Sequence, residues 1–230
     1  MTLSLPRRTW FACLASLLLA GCSASGSKQG LVRAEDVLSN VERIYVESEL
    51  SNARARAALE SLQAVAAGNF AGDGQESYLA LTETVDASTI QCDVLAETLD
   101  PLRSASIAYF QRWQTSLAEI TNAGLRERSA ARLEQARARC DAVEAALQPA
   151  IRAYRELDGA MRDCTTFLGN DLSAGSLAEI SGDVAHLSEL RAALDAELEA
   201  CLTAAQEYLR SAKLPEQAET SGQAVAAERG

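Results

Sequence analysis

Few side chains in this sequence carry reactive chemistry: six cysteines and a single histidine. A redox pair or a haem attachment needs Cys-x-x-Cys, and no two of Cys13, Cys22, Cys92, Cys140, Cys164 and Cys201 stand that close. His186 alone cannot build a His-rich metal centre or the paired Glu-x-x-His sets of di-iron bundles. It falls on an outward heptad position and reads as a solvated residue. No serine sits in a nucleophile elbow, and no glycine loop is spaced to cradle phosphate. Carboxylates are plentiful, but Glu127/Arg128, Arg132/Glu134 and Arg137/Arg139/Asp141 interleave the two charges, the pattern of a salt-bridge-laced surface. The residues predict no catalytic site, no metal and no cofactor, and the chain is not expected to be an enzyme.

One cysteine has a context of its own. Arg7 and Arg8 precede an apolar run over residues 10–20, which ends in Leu19-Ala20-Gly21-Cys22 and turns polar at Ser23. The run is too short to span a hydrocarbon core of about 30 Å. A basic start, a short apolar stretch and small residues at its end describe a secretory signal. Leu19–Cys22 resembles the lipobox of bacterial lipoproteins, in which cleavage makes the cysteine the new N-terminus and three acyl chains are added to it. Three chains exceed the two signals that stable anchoring needs. Residues 1–21 are therefore expected to be a signal peptide and Cys22 the lipidation site. Ser23, by resemblance to enteric sorting rules, favours the periplasmic face of the outer membrane over the inner membrane.

The rest of the chain must be long helices. Alanine, leucine, glutamate and arginine dominate, and aromatics make up 5%. The net charge is −11, and removing Arg7 and Arg8 with the leader takes it to about −13. Such a chain lacks the basic footprint of a nucleic-acid binder. Residues 22–31 read as a flexible tether, 32–212 as the helical domain and 213–230 as a disordered tail. Breaks at Gly68-Asn69, Thr121–Gly124 in "TNAG" and residues 169–175 divide the domain into helices at about 32–68, 74–121, 124–168 and 177–212. Asp73 with Glu76, and Ser176 with Glu179, predict caps opening the second and fourth. Apolar residues recur at three-then-four spacing in all four, which predicts an all-α fold: an elongated antiparallel four-helix bundle or coiled coil with long central helices. Pro101 and Pro149 are expected to kink the second and third helices. Asp100-Pro101 alternatively opens a new segment.

Two further expectations follow from this layout. With the third turn at about residue 172, Cys140 and Cys201 mismatch axially by only ~4.5 Å, which predicts a disulfide between them. Matching helix lengths also leaves residues 112–132 projecting as a two-helix tip, back towards the anchored end. That tip holds Arg112, Arg126, Arg128 and Arg132 against Glu119 and Glu127, with Trp113, Leu117, Ile120 and Leu125 as apolar surface. Basic residues beside a tryptophan suit an anionic lipid surface or an acidic partner. The plainer alternative is that the apolar residues zip the hairpin shut.

Three stretches carry a resemblance: "RWQTSLAEITNAGLRERSAARL" (112–133), "ALQPAIRAYREL" around Pro149, and "FLGNDLSAGSLAEI" (167–180). Together they resemble a bacterial family of secreted coiled-coil proteins known only as a domain of unknown function, over about residues 31–209. The resemblance implies an all-helical fold and an envelope location, and carries no activity. The function expected is that of a lipid-anchored structural or adaptor module. It would be attached to the membrane through Cys22 and engage an envelope protein, with a homo-oligomer also open. The alternative is a small-ligand carrier or enzyme accessory subunit with a pocket near the proline kinks.

Overall fold

A computed structural model describes residues 25–70 and 72–212. The expected signal peptide, Cys22 and the tail at 213–230 lie outside the described residues. Regular structure within them is helical throughout: α1 (Ser25–Ala66), α2 (Gly74–Ala96), α3 (Leu99–Ser116), α4 (Ala123–Asn170), α5 (Ala174–Glu179) and α6 (Ser181–Ala212), with a 3₁₀ turn at Leu117–Glu119. α1 packs along α2, α3 and α6, and α4 packs along α2, α3 and α6. The molecule is therefore a bundle of four arms, α1, α2 with α3, α4, and α5 with α6, in which α1 and α4 lie across the diagonal. No helix among the described residues is long and apolar enough to cross a membrane.

Local chemistry sets the breaks. Gly68 closes α1 at φ +71°, a left-handed conformation that costs glycine nothing. Asp73 caps α2 by accepting the Glu76 N–H at 2.7 Å. Asn122 does the same for α4, accepting from Leu125 N–H at 3.0 Å. Four expectations are corrected here. The stretch read as a tether is helical from Ser25 onward, because adding residues to an existing helix is far easier than nucleating one. Around Pro101 the second arm stops at Ala96 and restarts at Leu99, with Thr98 rather than Asp100 at the N-cap position, which puts Pro101 in a first turn where its missing N–H is harmless. Ser173, rather than Ser176, caps the helix after the third turn, accepting from Ser176 N–H at 3.3 Å. The fourth arm then begins as the separate short helix α5. Pro149, by contrast, lies inside α4, which runs on through it.

The core runs the length of the bundle. Val37, Val41, Ile44, Leu62, Leu81, Leu95, Leu147, Leu157, Met161 and Leu194 are fully or almost fully buried, each worth roughly 1.5–3 kcal/mol relative to exposure. Midway, the inner face of α1 turns small, with Ser48, Ser51, Ala55 and Ala58 all at 0% exposure. At that level α4 contributes Tyr154, the largest of the fully buried side chains. Small residues on one diagonal arm make room for a large one on the other.

Candidate functional site

The residues singled out by sequence for surface chemistry meet at the end of the bundle where α3 turns into α4. α3 supplies Tyr109, Phe110 and Trp113, whose rings form a tilted chain with centroids 5.2 Å and 5.6 Å apart. The Trp113 indole N–H donates to Ser129 Oγ of α4 at 2.9 Å. Arg137 of α4 lies 5.7 Å from the Phe110 ring centroid, within cation–π range. These contacts, with Leu117 at 8% exposure, close the hairpin on itself. Trp113, Ile120 and Arg112 are half-buried, while Leu125, Arg126, Arg128 and Arg132 are exposed. The hairpin thus uses most of its apolar residues internally and displays its arginines. Arg126 also donates to the Ile120 carbonyl at 3.1 Å, which ties the start of α4 to the end of the 3₁₀ turn.

Beside the hairpin lies a cleft of about 510 Å³, lined by Leu38, Tyr109, Trp113, Arg132, Arg139 and Tyr208 among others, and reached by Ala34 of α1 and Ala212 at the end of α6. Burial pushes the Tyr109 and Tyr208 hydroxyls up, so both are neutral donors at physiological pH. Ala212, the last described residue of α6, lines this cleft with Arg132. α1 does not stop there. From Glu35 it continues ten residues outward to Ser25, about 15 Å at helical rise. The first helix thus extends beyond the level of about residue 31 at which the matching of helix lengths ended it.

The four described cysteines are buried and free. The predicted Cys140–Cys201 bridge is not formed. Cys140 sits near Tyr208, whereas Cys201 Sγ accepts from Ser48 of α1 at 3.6 Å. Seven residues separate positions 201 and 208, about 10 Å along a helix, beyond the ~4.4–6.8 Å Cα separation a disulfide tolerates. The interposed α5 moves the turn's centre and breaks the sequence arithmetic. Burial is the first cause of raised thiol pKa at every site, to about 12 at Cys92 and about 11 at Cys140. Thiols held protonated this way are poor nucleophiles.

Sequence reasoning missed a polar layer at mid-bundle. Arg191 of α6, 6% exposed, pairs with Asp195 and donates to Asn52 Oδ1 of α1 at 2.5 Å and to the Asn52 carbonyl at 3.2 Å. The Tyr154 hydroxyl lies 3.1 Å from Ser88 Oγ and donates to the Ser88 carbonyl. Thr89 Oγ1 donates to Asp158 at 2.8 Å. The available signal was an arginine in the seam: Leu187, Arg191, Leu194 and Leu198 keep the heptad spacing. Asp158 gives a sign to pH dependence. Burial raises its pKa above the ordinary carboxylate value, with the Thr89 hydrogen bond and Arg162 opposing and Asp93 and Asp86 reinforcing. As pH rises from the ordinary value to the raised one, the unfolded chain releases this proton first and folding stability falls. Asp158→Asn is therefore expected to raise the thermal midpoint near pH 7, with the gain fading near pH 3, where both forms are neutral. Scanning calorimetry at the two pH values checks it; a lower midpoint near pH 7 would mean that the Thr89 bond to the carboxylate outweighs burial.

At the opposite end an open groove between α4 and the α5–α6 arm is lined by Asp163, Cys164, Phe167, Glu179, Asp183 and His186 with their neighbours. No group of three or more His, Cys, Asp or Glu among the described residues could hold a metal ion. His186 is exposed, 3.3 Å from Glu189.

No curated protein and no solved structure matches the chain. A family model described as "Protein of unknown function (DUF2959)" matches residues 25–212, the whole of the helical bundle.

Proposed function

From the premise that this chain belongs to that family, we propose that it is a lipid-anchored structural or adaptor protein of the cell envelope, held on the periplasmic face of the outer membrane and engaging an envelope protein through its long helices. One observation carries the reading. The chain is already helical at Ser25, the first described residue and three positions after the cysteine of "LLLAGC". An acyl anchor at Cys22 would mount the bundle almost directly on the bilayer, as suits a protein that presents a surface at a fixed place. The chain is not an enzyme on this reading. The carrier alternative needs space near Pro101 and Pro149; an open cleft of about 380 Å³ lies there, lined by Arg103, Ser106, Phe110, Arg137 and Glu144, while Leu102, Leu147, Ala150 and Ile151 beneath it are packed into the core.

The test is direct. When the full-length chain is produced in a bacterium with lipoprotein processing, the mature N-terminal peptide is expected to begin at Cys22 and carry the mass of three acyl chains. Cys22→Ser is expected to move the protein from the membrane to the soluble fraction, and crosslinking of the wild type in native membranes to capture a reproducible envelope partner. A wild-type protein that is soluble, or that keeps an unmodified Cys22, would overturn the proposal.

A further inference from the structure

The bundle is electrically polar along its length. At the hairpin end, residues 112–132 carry Arg112, Arg126, Arg128 and Arg132 against Glu119 and Glu127. The opposite end, where α1 meets α2 and α4 meets α5, carries Asp73, Glu76, Asp163, Asp171, Glu179 and Asp183 with few basic residues among them. On a chain of net charge −11, the basic end is a local reversal of sign.

Helical rise fixes which parts share that end. Glu35 and Leu38 line the cleft beside Tyr109 and Trp113. From there Ser25, the first described residue, lies ten residues out along α1, about 15 Å. Trp113 bonds Ser129, and Asn122 lies seven residues beyond Ser129 along α4, about 10 Å. The described part of α1 therefore reaches at least as far along the bundle axis as the hairpin turn. Residues 22–24 add at most ~11 Å of extended chain. Leu125, 51% exposed, stands at this turn between Asn122 and Arg126.

We propose that the hairpin turn is a docking surface for anionic lipid, resting on the bilayer that holds Cys22, with Arg126 and Arg128 against the headgroup phosphates and Leu125 at the acyl boundary. The proposal rests on the anchoring proposed above. Charge complementarity and the point where the described chain begins select the bilayer as occupant. An anchor at Cys22 already places lipid at this end, and the acidic end is then the one held away from like charge. Each basic residue close to an anionic surface strengthens binding by about fivefold, so the turn orients a molecule that its acyl chains alone would leave free to swivel.

The experiment uses the mature acylated protein reconstituted in vesicles of zwitterionic lipid, with or without about a third of an anionic phospholipid. Amide hydrogen exchange is read on peptides covering residues 119–129, and the acyl mass of the N-terminal peptide is read in the same digests. Exchange at the turn is expected to slow several-fold on the anionic vesicles only. The effect should disappear in Arg126→Glu/Arg128→Glu, return in Arg126→Lys/Arg128→Lys, and shrink at high salt. Both side chains are exposed, but Arg126 also holds the Ile120 carbonyl, so each variant's exchange on anionic vesicles is compared with its own on zwitterionic ones, and helicity by circular dichroism verifies the fold. Equal exchange on the two vesicle types, or slowing only when an acidic protein is added, overturns the docking surface. A missing acyl mass is a different failure: it overturns the anchoring. Docking is then read on the non-acylated mature chain by co-sedimentation with anionic vesicles, where the Glu variant should bind at least tenfold more weakly and equal binding overturns it.

Discussion

Tyr154→Ala is expected to lower folding stability by about 3–5 kcal/mol, and Tyr154→Phe by about 1–2 kcal/mol. Tyr154 is fully buried, at the level where α1 offers only small side chains. Alanine there leaves a cavity that Ser48, Ser51 and Ala55 are too short to fill, so most of its volume persists. The hydroxyl adds a smaller term, because it donates to the Ser88 carbonyl at 3.1 Å and lies 3.1 Å from Ser88 Oγ. Phenylalanine keeps the ring and removes only those bonds. Urea titration followed by circular dichroism separates the two. If phenylalanine is as harmful as alanine, the hydrogen bonds rather than the volume hold this layer together. If alanine costs under about 1 kcal/mol, the arms collapse onto the space and the layer is not rigid.

Arg191→Ala is expected to cost about 2–3 kcal/mol, whereas Arg191→Met should recover most of that loss. The guanidinium is buried, but its carboxylate partner Asp195 is 45% exposed, so water can replace the lost ion pair on that side. What alanine cannot replace is the packing of the long stem and the donors to Asn52 on α1. Methionine restores the packing and removes a costly buried charge. Denaturant midpoints of the three proteins decide it. A methionine variant as unstable as the alanine variant would show that the charge, through Asn52 and Asp195, carries the joint between α1 and α6.

The class of fold and its four arms were legible because the heptad spacing persists through every arm. Less legible was the exact seam of α1. Apolar counting selects Leu38 and Tyr45, but the buried line runs through Val37, Val41, Ile44, Ser48, Ser51 and Ala55. Two serines interrupt the hydrophobic signal just where packing needs small side chains. Arg191 is hidden for the same reason: a pattern of apolar residues passes over a charge whose burial only the partners on another arm can explain. The break before Pro101 was readable as one of two alternatives, but its place was not: the new segment opens at Leu99 behind Thr98, so Pro101 is its third residue rather than its first. At the hairpin end the residues were legible but their exposure was not. Whether Trp113 faces out or bonds Ser129 depends on where α4 begins, and Asn122 sets that through a single side-chain cap.

The contacts between α1 and α6 have a consequence for the order of assembly. They join residues far apart in the chain: 139 positions between Asn52 and Arg191, 153 between Ser48 and Cys201, and 161 between Tyr45 and Gln206. Closing a loop that long costs roughly 1 kcal/mol more in chain entropy than closing a helical hairpin of some forty residues. Local pairings of α1 with α2 and of α3 with α4 can therefore form early, while the joint between first and last arms must wait until the C-terminal arm has been made. A ribosome delivers the N-terminal arm first. Through most of synthesis, then, the side of α1 that carries Tyr45, Ser48 and Asn52 faces water, and an incomplete chain offers that open groove to any holding chaperone before α6 arrives to fill it.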